Sequence, residues 1–478
     1  MPILKNQTGL YVDLYELTMA QGHFFNGKKD VPAVFDYFFR YIPFGGGYVV
    51  FAGLMDLLEM LERYRFDEED CAYLESVGFH KKFTAYLRDF RHRLTIYAPR
   101  EGEIVFPNEP IVRVEGNIIE AQIVETMLLN LLNFESLIAT KAARIRYAAG
   151  DKMISDFGLR RAQGLAGIHA SRAAIIGGIN STSNVFSAKL FGLKPTGTQA
   201  HSWIQAYGDE LEAFRQFAKV FPDRCILLVD TYNTLQSGVP NAITIAKEME
   251  ERGEKLLAIR LDSGDLAYLS KHARKMLDDA GLEYVKIVAS NQLDEYIIRS
   301  LHTQGAPIDG YGIGTRLITG KGEGALDGVY KISMIENKPL MKISDNIEKM
   351  TLPGKKKIYR YINGEGIFNG DAVVLENESG VDWMYHPHKP DMFKRMDTME
   401  KEELMHKVMD HGDVMIDKEP TYDIAGYVQR RMAMLSDEHK RFEFPHIYKV
   451  GISKQLMELR SKMIREIKLG GGQNEKSH

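Results

Sequence analysis

The stretches CILLVDTYN (225–233) and LLAIRLDSGD (256–265) decide the fold. In each, a short apolar run ends in an aspartate and a polar junction, and a stretch with a helical pattern follows. Three more runs are built in the same way: MISDFG (153–158), VKIVASN (285–291) and IDGYGIGT (308–315). Alternation of buried strands with helices predicts strand–helix units arranged around a parallel sheet.

Weaker apolar runs raise the number of strands that the pattern allows. They lie at 175–180, 194–198 and 329–335. A total of about eight such strands predicts an α/β barrel, incomplete or irregular. An open, doubly wound sheet is the alternative that the pattern leaves.

The region before these units has a different pattern. It contains a helical segment at 14–25, an aromatic-rich strand at 33–41 and a long helical stretch that starts at 119. Mixed elements without regular alternation indicate an α+β domain. We therefore expect three parts, which are an N-terminal α+β domain (1–148), the α/β barrel (149–340) and a C-terminal region that packs on the other domains (341–478).

The C-terminal region has a looser pattern. Residues 358–375 predict a hairpin, and residues 399–411 and 452–469 predict helices. The chain ends in GGGQNEKSH, and a polar, glycine-rich terminus of this kind predicts a disordered tail from about residue 470.

Composition excludes several classes of protein. The chain has 61 basic and 65 acidic residues, a formal net charge of -4 and 44% hydrophobic residues, so it is neither a dedicated nucleic-acid binder nor largely disordered. Cys71 and Cys225 are too few for a disulfide framework or a four-cysteine zinc site. The N-terminus lacks a signal-peptide pattern, and the apolar stretch 123–139 carries too many polar residues to span a bilayer. We expect a cytoplasmic protein.

Candidate chemistry follows the predicted strands, because the carboxyl ends of parallel strands meet at one edge. Asp230 and Asp262 could bind ribose hydroxyls or Mg²⁺, although a lone aspartate in this position is also a common N-cap of the next helix. Glycine-rich turns let backbone N–H groups approach an anion, and arginine offers a two-pronged donor for phosphate. Together these residue types predict a phosphorylated sugar substrate with a metal ion.

His201 has two interpretations on sequence alone. It lies in PTGTQAHS (195–202), after a possible strand and before a helical stretch. A histidine in this position could be a nucleophile or general base at the mouth of the barrel, with Asp230 orienting its imidazole. A structural or surface histidine fits the same residues, and the physics of the sequence leaves both open.

Beyond these arguments, the motifs closely resemble one family, the nicotinate phosphoribosyltransferases. The resemblance rests on a set of motifs in a fixed order, which are VDLYELTMAQG (12–22), FFRYIPFGGGYVVFAGL (38–54), FGLRRAQG (157–164), GGINSTSN (177–184), PTGTQAHS (195–202), VDTYNT (229–234), AIRLDSGD (258–265) and GIGT (312–315). It covers the chain from about residue 5 to about residue 340.

The resemblance implies both a fold and a reaction. The fold is that of a type II phosphoribosyltransferase, an irregular α/β barrel beside an N-terminal domain, usually in a homodimer with shared active sites. The reaction converts nicotinate, 5-phosphoribosyl 1-diphosphate, ATP and water to nicotinate mononucleotide, diphosphate, ADP and phosphate, in NAD salvage. ATP is then a co-substrate that phosphorylates a histidine, and Mg²⁺ is the cofactor.

The resemblance also implies roles for particular residues. His201 matches the histidine that ATP phosphorylates, and Asp230 and Asp262 match acids near this histidine, the ribose and the magnesium ion. The remaining matches are substrate contacts: Tyr15 (from the neighbouring subunit), Phe157 and Arg260 at the pyridine ring, Arg160 at the phosphates, and Ser290, Asn291, Gly312, Gly314 and Thr315 around the 5-phosphate.

Ser183 bears on which pyridine is the substrate. The resemblance places it where relatives that use nicotinamide have an aspartate. A carboxylate there would repel the carboxylate of nicotinate, whereas a serine can donate a hydrogen bond to it. Nicotinamide phosphoribosyltransferase activity is therefore the less favoured alternative. A non-catalytic regulator that binds phosphoribosyl ligands is the other one, and it predicts the loss of a catalytic position, which none of the motifs shows.

Overall fold

The computed structural model describes residues 9–343 and 350–474 of the chain. These described residues form two compact units: those of the first fall within Met1–Leu137, Ala325–Glu419 and Tyr427–His478, and those of the second within Ile138–Gly324 and Pro420–Gly426. Most of the C-terminal region therefore belongs to the first unit by its contacts. The three-part division drawn from the sequence stays a prediction.

The strands are short and occur in both units. In chain order they are β1 (Pro32–Phe39), β2 (Val49–Val50), β3 (Thr95–Ala98), β4 (Ile104–Val105), β5 (Val112–Asn117), β6 (Met153–Asp156), β7 (Ser181–Thr182), β8 (Ile226–Leu228), β9 (Ala258–Leu261), β10 (Lys286–Ala289), β11 (Gly310–Ile313), β12 (Gly328–Ile335), β13 (Lys338–Pro339), β14 (Lys356–Ile362), β15 (Phe368–Leu375), β16 (Trp383–His386), β17 (Lys389–Arg395), β18 (Glu400–Glu403), β19 (His406–Asp410), β20 (Asp413–Val414) and β21 (Val450–Ile452).

The helices alternate with strands only in the second unit. In chain order they are α1 (Leu14–Phe25), α2 (Leu54–Glu62), α3 (Glu68–Ser76), α4 (Lys81–Arg88), α5 (Ile118–Ile123), α6 (Glu125–Ala149), α7 (Ala166–Ile176), α8 (Val185–Phe191), α9 (His201–Tyr207), α10 (Glu210–Val220), α11 (Val239–Glu251), α12 (Leu266–Asp279), α13 (Glu295–Thr303), α14 (Thr315–Ile318), α15 (Thr421–Met434), α16 (Asp437–Lys440) and α17 (Lys454–Asn474).

The second unit contains the predicted parallel sheet. Its six strands have the order β7-β6-β11-β10-β9-β8, and every pair is parallel. Most apolar residues of these strands are buried, among them Ile154, Leu227, Ile259, Ile287 and Ile313, whereas Met153 at the start of β6 is exposed. The fold is thus the incomplete, irregular α/β barrel that the sequence predicted, with six strands in place of eight.

None of the three weaker runs forms a strand of this sheet, and its sixth strand is the short β7, which the sequence did not predict. Residues 175–180 form the end of α7 and a turn, because Ile175 and Ile176 belong to the buried face of that helix. Within 194–198 only Pro195 makes a ladder contact, a single parallel bridge to Thr182. Residues 329–335 do form a strand, but β12 pairs antiparallel with β1 in the first unit. An apolar run predicts burial without identifying its partner strand.

The first unit contains two larger sheets. An antiparallel sheet has the order β13-β12-β1-β5-β3-β19-β20, and a mixed sheet has the order β17-β16-β21-β15-β14-β18. The hairpin predicted at 358–375 is confirmed as β14 and β15. The helix predicted at 399–411 is wrong, because this segment forms β18 and β19, which pair with β14 and β3. Pairing with existing sheet edges overrides the helix propensity of its Glu, Lys, Leu and Met residues.

Two further predictions concern long helices. The stretch 118–149 is long and apolar enough to cross a membrane by composition alone, but 67% of its most apolar window is buried in the protein, which is typical of a core helix. The last helix, α17, continues to Asn474 and so includes residues that the sequence assigned to the tail. The rest of the predicted tail, 475–478, lies outside the described residues.

A buried ionic cluster crosses the core of the first unit. Arg360 is fully buried and donates to Glu103 and Asp371, and Tyr448 donates to Asp371 at 2.8 Å. Glu109 is also fully buried beside Asp371 and accepts a hydrogen bond from the Phe106 N–H at 2.9 Å. Burial, followed by the charge of Asp371, raises the pKa of Glu109 well above its usual range.

Candidate active site

The carboxyl edge of the parallel sheet collects most of the predicted site residues. Asp230 follows β8, Asp262 follows β9, Ser290 follows β10 and Phe157 follows β6, while Gly312 lies in β11. Because all six strands run in the same direction, these residues share one edge of the sheet. This is the edge on which α/β enzymes place their active sites.

Hydrogen bonds link the acidic residues across neighbouring strands. Asp230 Oδ2 accepts from the backbone N–H of Asp262 at 2.7 Å and from the hydroxyl of Ser263 at 2.7 Å. Asp262 Oδ1 accepts from the hydroxyl of Ser290 at 2.5 Å. Neither aspartate caps a helix: the N-cap of α12 is Asp265, which accepts from the N–H of Tyr268. The capping alternative for Asp262 is therefore wrong.

His201 is the first residue of α9 and reaches this acidic pair. Its Nε2 lies 4.0 Å from Asp230 Oδ1 and 3.9 Å from Asp262 Oδ2, and 41% of its side chain is exposed. Its Nδ1 makes a hydrogen bond of 3.0 Å with Thr231 Oγ1. The sequence suggested Asp230 as the residue that orients the imidazole. The structure corrects this, because Thr231 makes the direct hydrogen bond and both carboxylates are beyond hydrogen-bond distance.

Asp230 has the chemistry of a metal ligand. Its side chain is 1% exposed, yet Oδ1 has no hydrogen-bond partner among the described residues. A buried carboxylate oxygen without a partner is costly, and a bound cation would satisfy it. Asp262 Oδ2 lies on the same side, toward His201. The pair therefore fits Mg²⁺, which prefers carboxylate oxygens and keeps part of its water shell.

An arginine and an aromatic ring form a second part of the edge. Arg260 donates to Thr198 Oγ1 at 2.5 Å and to the carbonyl of Gln199 at 2.8 Å, and its Cζ lies 6.0 Å from the centroid of the Phe157 ring. Its Nε is buried without a partner among the described residues. Burial lowers the pKa of Arg260, and the nearby carboxylates of Asp262 and Asp230 act in the opposite direction.

Gly312 leaves room for that aromatic ring. A Cβ at this position would lie 2.3 Å from Cε2 of Phe157, whereas ordinary contacts are 3.4–4 Å. The backbone of Phe157 is fixed by a hydrogen bond from its N–H to the carbonyl of Ile313 at 2.8 Å. The glycine therefore determines where the ring can lie, and this is a packing role in addition to the phosphate contact that the resemblance implies.

Asp156 is a residue whose importance the sequence did not reveal. It is fully buried, and its carboxylate accepts from the N–H of Gly158 at 2.7 Å and from the hydroxyls of Ser171 and Thr182 at 2.9 and 2.7 Å. Its carbonyl accepts from the N–H of Ser183 at 2.8 Å. Burial raises the pKa of Asp156, and these hydrogen bonds oppose the rise. Asp156 thus ties the loop of Phe157 to the loop of Ser183.

The remaining predicted residues lie on loops after the strands, at the start of α14 or on α1. Asn291 has a backbone φ of 107°. Residues other than glycine rarely adopt this conformation, and those that do cluster at functional sites. Gly314 precedes α14, which begins at Thr315. Arg160 is exposed in the turn after Phe157. Tyr15 lies on α1 of the first unit with 50% of its surface exposed, so it is not among the residues that the parallel sheet of the second unit collects.

A parallel α/β sheet with paired aspartates, a histidine and a half-buried arginine along its carboxyl edge is typical of an α/β enzyme. Comparison with known proteins gives the family. The N-terminal domain model of nicotinate phosphoribosyltransferase matches residues 10–133, the family model matches 153–384 and the C-terminal domain model matches 355–460. The chain belongs to the nicotinate phosphoribosyltransferase family, as its motifs predicted.

Individual relatives agree with this assignment over nearly the whole chain. The chain is 44% identical to nicotinate phosphoribosyltransferase of Bacillus subtilis (strain 168) over 96% of both chains, and 37% identical to that of Dictyostelium discoideum over 94% of this chain and 87% of the relative. The crystal structure of human nicotinic acid phosphoribosyltransferase superposes with a TM-score of 0.83 at 30% identity, covering 94% of this chain and 99% of that one.

Proposed function

We propose that this chain transfers the phosphoribosyl group of 5-phosphoribosyl 1-diphosphate to nicotinate and couples the transfer to ATP hydrolysis through a phosphohistidine on His201. Nicotinate, the phosphoribosyl donor, ATP and water give nicotinate mononucleotide, diphosphate, ADP and phosphate. Two buried atoms that have no hydrogen-bond partner among the described residues, Asp230 Oδ1 and Arg260 Nε, carry the proposal. The two side chains have opposite charge and lie at one edge of the sheet. Asp230 therefore suits a bound cation, and Arg260 suits an anionic substrate.

The pyridine nitrogen is itself the nucleophile in this reaction, so the protein needs no nucleophile for the transfer. Its task is to align the two substrates and to stabilise the charge of the departing diphosphate. Phe157 and Arg260 are suited to hold the aromatic ring and its carboxylate, and Arg160 is suited to bind phosphate. Backbone N–H groups at the carboxyl ends of neighbouring strands can surround the 5-phosphate. The residues suited to this lie in or just after β10 and β11: Ser290, Asn291, Gly312, Gly314 and Thr315.

Mg²⁺ is the expected cofactor, with Asp230 and Asp262 as its candidate ligands. When bound, it would neutralise diphosphate and nucleotide charge at the reacting centre. The protein's own part is to fix both carboxylates: the Asp262 N–H and Ser263 hold Asp230, and Ser290 holds Asp262.

ATP acts as co-substrate through His201. The proximity of Nε2 to two carboxylates supports a phosphorylated state, because nearby negative charge makes the imidazole a better nucleophile at its other nitrogen. A phosphoryl group there adds negative charge beside the substrate site. That charge must change substrate affinity, or ATP would be hydrolysed without gain.

Substrate choice and assembly complete the proposal. Ser183, tied to Asp156, favours nicotinate over nicotinamide because it can donate to a carboxylate. Tyr15 is exposed and is proposed to complete the site of a second subunit in a cytoplasmic homodimer.

The test is an assay of the purified protein with 5-phosphoribosyl 1-diphosphate and Mg²⁺, with nicotinate or nicotinamide, with and without ATP. We expect nicotinate mononucleotide from nicotinate, faster with ATP, and ADP formed together with it. Formation of product from nicotinamide at the same rate would refute the proposed specificity, and product formation that ATP does not affect would refute the coupling.

A further inference from the structure

The two nitrogens of His201 have opposite surroundings. Nε2 faces the carboxylates of Asp230 and Asp262 at 4.0 and 3.9 Å, whereas Nδ1 lies 3.0 Å from the hydroxyl of Thr231. The hydroxyl of Thr231 is within hydrogen-bond distance of the ring, whereas both carboxylates are beyond it. In the tautomer that leaves the lone pair on Nδ1, the Thr231 hydroxyl is the donor of this hydrogen bond.

We propose that Thr231 is a positioning residue for His201, and this inference rests on the proposed phosphorylation of that histidine. Its hydroxyl fixes the rotamer and the tautomer of the imidazole, so that Nδ1 keeps its lone pair until the γ-phosphate of ATP arrives and displaces the hydroxyl. The lone pair attacks the γ-phosphorus, the N–P bond forms, and the bond from that phosphorus to the bridging oxygen breaks with its electron pair going to ADP. The Nε2 proton stays beside the carboxylates, and the Thr231 hydroxyl is then free to donate to a phosphoryl oxygen.

The backbone around Thr231 is built to hold this hydroxyl in place. On one side, Asp230 is fixed by its two hydrogen bonds to the next strand and its junction. On the other side, Asn233 caps a single π-helical turn by accepting from the N–H of Gln236 at 2.9 Å. That turn packs so closely on the end of β8 that a Cβ at Gly238 would lie 1.8 Å from the carbonyl oxygen of Val229. A β-branched side chain on such a segment has few rotamers.

The experiment compares Thr231→Val, which removes the hydroxyl and keeps the branched shape, with Thr231→Ser, which keeps the hydroxyl. The first measurement is the rate of acid-labile labelling by γ-labelled ATP. We expect Thr231→Val to label at least about tenfold more slowly than wild type, which corresponds to about 1.4 kcal/mol, and Thr231→Ser to stay within about threefold. Unfolding temperatures of both variants show whether each protein is folded.

A second measurement separates positioning from general structural damage. It is the ratio of the ATP-dependent to the ATP-independent rate of nucleotide synthesis. Loss of His201 positioning lowers this ratio, whereas distortion of the whole site lowers both rates and leaves the ratio unchanged. An unchanged ratio, or equal labelling of wild type and Thr231→Val, would overturn the proposal. So would a Thr231→Ser protein that is folded and labels as slowly as Thr231→Val.

His201→Ala distinguishes this inference from the proposed function. If His201→Ala is still labelled, the phosphohistidine assignment fails and the role of Thr231 fails with it. If His201→Ala is unlabelled while Thr231→Val labels at the wild-type rate, only the role of Thr231 is wrong.

Discussion

Replacing Gly312 by alanine should displace the ring of Phe157 and weaken nicotinate binding. The added Cβ would lie 2.3 Å from Cε2 and 2.5 Å from Cδ2 of that ring, and the ring must move before either distance becomes an ordinary contact of 3.4–4 Å. The backbone of Phe157 cannot move freely with the ring, because its N–H donates a hydrogen bond to the carbonyl of Ile313. A displacement of about 1 Å at a positioning group costs up to about 100-fold, and we expect the KM for nicotinate to rise by about 10- to 100-fold.

The assay is steady-state kinetics with nicotinate varied at saturating phosphoribosyl donor and ATP, and then with the donor varied. The KM for nicotinate should change more than the KM for the donor if the ring holds the pyridine. Gly324→Ala is the matched control, because a Cβ at Gly324 would have no atom within 4 Å. A folded Gly312→Ala protein whose KM for nicotinate stays within about threefold of wild type would refute the role of Phe157.

Three further substitutions test other parts of the account. Ser183→Asp should raise the rate with nicotinamide relative to nicotinate in paired assays, and an unchanged ratio would remove the argument for specificity. Asp262→Ala should lose more than about tenfold in activity with little change in unfolding temperature, since its carboxylate faces the site and caps no helix. Glu109→Gln should flatten the pH dependence of stability. Burial raises the pKa of Glu109 above the ordinary range of a glutamate. As pH rises from that ordinary range to the raised pKa, the wild-type free energy of unfolding should fall by up to about 1.4 kcal/mol per pH unit. Glutamine does not titrate, so the variant should lack this fall. Urea unfolding from about pH 5 to about pH 9 measures this difference, and equal slopes for wild type and Glu109→Gln would show that the pKa of Glu109 is not raised.

The sequence predicted which side chains lie near one another wherever topology alone brings residues together. Asp230, Asp262 and Ser290 each follow an apolar run, and parallel strands necessarily bring their carboxyl ends to one edge. Recognising the strands was therefore enough to predict the neighbourhood of these side chains. The motifs added the family, which composition and spacing could not supply.

Other features depend on packing that no local pattern encodes. The hydrogen bond between His201 and Thr231 joins residues 30 positions apart and depends on the exact rotation of α9 relative to β8. In the sequence, Asp156 cannot be distinguished from other aspartates at the ends of strands, so its burial is not predicted. The strand β12 has the apolar character of a barrel strand, but its partner is the aromatic strand β1. In each case the partner, and not the residue itself, decides the role.

The most direct test of the central claim is to identify the residue that takes the phosphoryl group of ATP. Wild-type protein incubated with γ-labelled ATP and Mg²⁺ should carry label that is lost in acid and kept in base, and peptide mapping should place it on His201. His201→Ala should carry none. Label that survives acid, or label that persists in the His201→Ala protein, would contradict ATP coupling through this histidine.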